Sequence, residues 1–167
     1  MRISKATVII GIFIIVSAAF MRQLMEFFKA YFGERAFVAL IGLILIMAGL
    51  AFVICIFKRN PGPFKISAMV MLLIAGMALA WQIELPVERI HILEYGLLGW
   101  FTGRDLMGKT KKKRGFIFAW VLTVMVGILD EGFQRILPYR VWDVRDILFN
   151  SLGGLWGISL YWLKAGL

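Results

Sequence analysis

Ala36 to Phe57, AFVALIGLILIMAGLAFVICIF, runs for twenty-two residues without a charge. At about 1.5 Å per residue a helix of this length reaches about 33 Å, enough to cross a hydrocarbon core about 30 Å thick. Inside a bilayer every backbone N–H and C=O must find its partner within the protein, and a single isolated segment does so only as a helix. The stretch therefore predicts a transmembrane helix and an all-α fold.

Working outward, the same logic recurs on both sides. Ala6 to Met21 gives sixteen uncharged residues after Arg2 and Lys5. Ser17 and Ala19 would also suit a signal-peptide cleavage site, but the other apolar runs already commit the chain to the membrane, so we read this segment as a retained anchor. Arg22 to Arg35 is a mixed, amphipathic connection whose Phe27, Phe28, Tyr31 and Phe32 suit a membrane interface. Beyond Phe57, the basic turn Lys58-Arg59-Asn60-Pro61-Gly62-Pro63 breaks the helix. Ile66 to Ile83 then supplies eighteen uncharged residues for a third span.

Composition agrees with this reading. Of 167 residues, 61% are hydrophobic, and the mean hydropathy is +0.85, well above a soluble domain. The formal net charge of +9 would suggest nucleic-acid binding in a soluble protein. Here the basic residues sit at the ends of apolar runs, so topology explains them and no nucleic-acid partner is expected. The single cysteine, Cys55, excludes an intrachain disulfide and a thiolate metal cluster.

In the second half the apolar runs shorten and polar residues enter them. Gly115 to Leu129 has only fifteen uncharged residues, so a helix of about 20 residues must carry Asp130, Glu131 and Gln134 into its end. The last helix is expected to begin at Asp143 or Asp146 and reach Lys164. The expectation is one membrane domain over residues 1–167, a polytopic helical bundle of about six membrane segments, one of them short, with amino-terminal spans over 1–65. With the amino terminus inside, twelve basic residues face the cytoplasm and seven the other side, while nine of the ten acids, all but Asp105, lie toward that other side. Both termini are then cytoplasmic.

That orientation carries two polar segments to the outer face. In ELPVERIHILEYG, residues 84–96, Glu84, Glu88, His91 and Tyr95 recur at offsets of four, three and four, which makes one helical stripe. Glu94 lies ten residues from Arg104, about 15 Å along a helix and near the bilayer midplane. In DEGFQRILPYRVWDVRDILFNSLGGLWG, residues 130–157, the positions Asp143, Asp146, Asn150, Gly153 and Gly157 share a face that is polar at its start and small at its end. Ionisable groups at such depth usually look into a bundle or a wet cavity, and glycines let helices approach closely.

The carboxylates and His91 offer acid/base chemistry or ligands for a divalent metal, and the arginines can grip phosphate through two parallel hydrogen bonds. No H-E-x-x-H motif is present, and H-x-x-E by itself is weak. Bland readings stand beside these. Glu84, Glu88, Arg135 and Arg145 fit solvated interface charges, His91 with Tyr95 fits a helix contact, and Asp143 fits a cap on the last helix.

The order H-x-x-E-Y-G, D-E-x-x-Q, P-x-R, D-x-x-D-x-x-x-N and G-G-x-x-G over residues 84–157 resembles the VanZ-like family of bacterial membrane proteins. The one departure is Pro138-Tyr139-Arg140, where a glycine commonly precedes the arginine. The resemblance implies a multi-pass plasma-membrane protein of the cell envelope, in a family whose namesake lowers susceptibility to the lipoglycopeptide antibiotic teicoplanin. It supplies no reaction. The partners it suggests are a membrane lipid, a lipid-linked cell-wall precursor or the glycopeptide itself. On the first reading the site acts as a hydrolase or transferase on a lipid head group, with His91, Glu94, Asp130 and Glu131 catalytic. Tyr95, Gln134, Arg140 and Asn150 would then bind substrate, and Asp143 and Asp146 would hold a divalent metal. On the alternative the protein is not an enzyme, and the same polar cluster packs helices around a lipid or glycopeptide groove.

Overall fold

The computed structural model describes residues 3–57, 62–83, 89–108, 112–138 and 143–165. Glu84, Glu88, Tyr139 and Arg140 lie outside them, as do residues 109–111. The described residues form seven helices and no strand: α1 (Lys5–Ser17), α2 (Met21–Phe32), α3 (Glu34–Phe57), α4 (Pro63–Trp81), α5 (Arg89–Met107), α6 (Lys112–Ile136) and α7 (Val144–Ala165).

Local chemistry explains most of the boundaries. Ser4 caps α1 by accepting the Thr7 N–H at 3.4 Å, which satisfies one of the unpaired donors of a first turn. Gly33, at φ 84, ends α2 in a conformation that other residues resist. Glu34 opens α3 and Pro63 opens α4, a negative charge and a ring suited to a first turn. Lys164 closes α7 with the opposite charge.

The first apolar run does not continue straight to Met21. It breaks after Ser17, and α2 departs at 63°. The reason is visible in the sequence of α2: its apolar residues fall on one stripe and its charges on another, so it cannot lie wholly in hydrocarbon. Met25 is buried against Phe37 and Ile41 of α3, whereas Phe27, Tyr31 and Phe32 are exposed.

By length and composition three helices are apolar enough to cross a membrane, over Glu34–Ala51, Pro63–Trp81 and Lys113–Ile136, and a fourth if the bent α1–α2 pair forms one span. α5 and α7, expected among six segments, are less apolar because they sit at the centre of the bundle and face protein. α5 packs most extensively on α7 and next on α6, with α1 and α4 on the flanks.

Glycine makes the α5–α7 contact. A Cβ on Gly99 would overlap the Gly154 carbonyl, and one on Gly157 would overlap the Gly96 carbonyl. The two backbones therefore touch where any side chain would hold them apart. Trp156 wedges α4 against this pair: its indole N–H donates to the Leu72 carbonyl at 2.7 Å, and its ring occupies the space over Gly76 and Gly96. At one end of the bundle the buried Asp105 carboxylate accepts the Ser4 N–H at 2.7 Å and the Thr7 hydroxyl at 2.6 Å, tying the start of α1 to the end of α5.

Candidate functional site

The opposite end of the bundle holds the polar residues. Tyr95, Asp130 and Asn150 each lie six residues from a helix end, at Arg89, Ile136 and Val144 respectively, which is about 9 Å along each axis. The three helices thus deliver one polar side chain apiece to a common layer. Tyr95 and Asp130 are both 0% exposed, and the Tyr95 hydroxyl donates to Asp130 Oδ2 at 3.0 Å. Gly127, one turn before Asp130, makes room: a Cβ there would stand 3.5 Å from both Asn150 Cβ and the Tyr95 ring.

Around this layer the other predicted residues gather. Gln134 Nε2 donates to Glu131 Oε1 at 3.2 Å, both buried. His91 Nδ1 approaches Glu94 Oε2 at 3.2 Å, one turn apart on α5, with both side chains largely covered. The approach is close enough for an ion pair but too oblique for a hydrogen bond at that nitrogen. His91 and Glu94 lie within electrostatic reach of Asp130, and Glu94 and Glu131 within reach of Tyr95. No described residue forms a salt bridge to Asp130, whose charge-bearing group meets a neutral phenol instead. Gln134 also interacts with that carboxylate, yet no hydrogen bond of normal geometry reaches Oδ1, nor Asn150 Nδ2. Buried polar atoms of this kind are rare and costly in a settled core.

Asp143 has a different place. Its Oδ1 accepts the Arg145 N–H at 2.8 Å and its Oδ2 accepts Arg145 Nε at 2.9 Å. It is the cap of α7, the structural role weighed for it from the sequence. Hydrogen bonds from the Arg145 side chain and backbone hold its carboxyl below the usual range. Asp146, in the first turn of α7, is half-buried. Among the described residues no group of three or more His, Cys, Asp or Glu side chains is placed to hold a metal ion.

A small pocket opens beside His91 and Glu94. Its other walls come from the α1–α2 bend, through Ser17, Met21, Arg22 and Met25. Nothing in the sequence marked these residues as neighbours of the polar stripe, because their proximity depends on how α1 packs across α5. Likewise Ser4 and Thr7 gave no sign of meeting Asp105. The one hint was that Asp105 is the lone acid on the basic side of the expected topology.

Residues 87–165 match the VanZ/LLP1 family model. This part of the chain is similar to VanZ-like domains. The domain contains α5, α6 and α7 and with them the Tyr95–Asp130–Asn150 layer, while α1 to α4 precede it. Neither curated proteins nor solved structures match the chain. The pocket beside His91 is therefore built jointly, by the VanZ-like domain and by the segment before it.

Proposed function

We propose that the VanZ-like domain holds an intramembrane site, open to the outer face of a bacterial plasma membrane, that acts on the head group of a lipid or lipid-linked envelope precursor. Lower susceptibility to lipoglycopeptides such as teicoplanin would follow from that action. The supporting observation is that the pocket lined by His91 and Glu94 lies next to the buried Tyr95–Asp130 pair, with the His91 and Tyr95 ring centroids 6.3 Å apart. Placing the basic residues in the cytoplasm points this end of the bundle outward.

In this reading His91 exchanges a proton with the head group, oriented by the Glu94 carboxylate 3.2 Å away. Asp130 sits within electrostatic reach of His91. Tyr95 fixes the Asp130 carboxylate. Glu131 and Gln134 hold one another and complete the acidic wall.

A second reading takes support from the complete burial of Tyr95 and Asp130. Here the cluster locks α5, α6 and α7 around a lipid or glycopeptide groove without turnover. Paired measurements of teicoplanin susceptibility and folded protein level for His91→Ala and Asp130→Asn separate the two. Loss of resistance at normal abundance supports the active site. Parallel loss of both supports packing, and full resistance in both variants would sink the shared site.

A further inference from the structure

We infer that Arg22, at the bend between α1 and α2, binds the phosphate of an anionic lipid head group and presents it to His91 and Glu94. The inference rests on reading that cluster as a lipid-head-group site. Arg22 lines the same pocket as His91 and Glu94, yet it precedes the VanZ-like domain by more than sixty residues of chain. Its side chain is 43% exposed, and its Nε donates to Glu26 Oε1 at 3.2 Å, one turn along α2. That contact orients the planar guanidinium, whose geometry matches phosphate oxygens better than a lysine ammonium does.

Three features select a lipid phosphate over a soluble anion. α2 buries Met25 but exposes Leu24, Phe27 and Tyr31, a surface suited to the level where head groups meet acyl chains. The pocket is also walled by Met21 and Met25, which would contact the first methylenes of a lipid and have nothing to offer a free ion. Finally, α1 has only 13 residues, about 20 Å of helix against a core about 30 Å thick. A bilayer that thinned locally around this short helix would bring a head group to the bend.

The site would then divide its labour. Arg22 takes the phosphate charge, the methionines take the apolar neck, and His91 with Glu94 faces the polar group beyond.

The test uses the full chain in non-ionic detergent, with lipid retention read by native mass spectrometry. Phosphatidylglycerol, a diacylglycerol with the same acyl chains, and inorganic phosphate are titrated separately. One phosphatidylglycerol should be retained, diacylglycerol at least about tenfold more weakly, and phosphate weakest of all. Arg22→Gln should weaken phosphatidylglycerol about tenfold and Arg22→Lys should restore part of that. Arg35→Gln, exposed and away from the pocket, should change nothing. Unaltered retention in Arg22→Gln overturns the inference, as does an equal loss in Arg35→Gln. Phosphate bound as tightly as the lipid overturns the lipid assignment. Thermal stability near wild type in Arg22→Gln excludes misfolding, and the exposure of the side chain favours that result. If His91→Ala abolishes resistance while Arg22→Gln keeps its lipid, only this inference falls. If Arg22→Gln loses the lipid while His91→Ala and Asp130→Asn keep resistance, the proposed function falls and the lipid site stands.

Discussion

α3 and α5 invert the rule that serves for soluble proteins. α3 is the most apolar stretch of the chain, yet only 11% of its membrane window, Glu34–Ala51, is buried in the protein. α5 carries Arg89, His91, Glu94, Arg104 and Asp105, yet ten of its nineteen residues are buried. In water, apolar surface drives burial; in lipid the solvent is as apolar as leucine, so that force is absent between helices. What remains is close packing and hydrogen bonding. Small residues and polar groups therefore join the core, and many large aliphatic residues, among them Leu43, Ile46 and Leu50 of α3, face outward.

The sharpest way to break this comparison is to give each helix a side chain it lacks. Gly157→Leu places carbon atoms where the Gly96 carbonyl already stands and forces α5 from α7. Overpacking of this kind should cost about 3 kcal/mol or more, seen as a large loss of thermal stability in detergent. Gly42→Ala and Gly49→Ala, with nothing within 4 Å of the added Cβ, should stay within about 0.5 kcal/mol of wild type. If the α3 variants proved as harmful as the α5–α7 one, the contrast would fail.

A middle-sized effect is expected where polarity replaces small size. Tyr95→Phe keeps the ring and removes the hydroxyl that meets Asp130 at 3.0 Å. Hydrogen bonds between membrane helices average about 0.6 kcal/mol and reach about 1.7, and the complete burial of this pair places it toward the upper end. Chemical or thermal unfolding in detergent measures it. A neutral result would mean that α5 and α6 are held by packing alone.

The smallest effect belongs to the exposed rim. Asp143 caps α7, and hydrogen bonds from Arg145 hold its carboxyl below the usual carboxylate range. Because the folded-state value is depressed, the stabilisation is present above the ordinary carboxylate range and is lost as pH falls through the lowered value. Asp143→Asn should therefore be slightly less stable than wild type at neutral pH, and the gap should close on acidification. A gap that widened at low pH would rule out the capping contact as its source.

Length and uncharged runs alone determined that the chain is an all-helical membrane protein, because a bilayer admits few solutions for an unpaired backbone. The bounds of α3, α4, α6 and α7 followed from charges and turn residues within a few positions. Asp130, Glu131 and Gln134 could be placed at the end of a span because fifteen uncharged residues are too few to cross. The family resemblance was legible too, since its motifs are fixed spacings of polar residues. Tertiary structure decided the rest. That α1 ends at Ser17 and turns by 63° depended on where α2 could place its aromatic face. That Tyr95 meets Asp130, that Asp105 ties down Ser4 and Thr7, and that Arg22 lines one pocket with His91 are juxtapositions of helices far apart in sequence. A helical repeat tells which residues share a face, but the partner of that face is set by the rotation and approach of whole helices. Here that approach is governed by Gly96, Gly99, Gly154 and Gly157, residues whose contribution is the absence of a side chain.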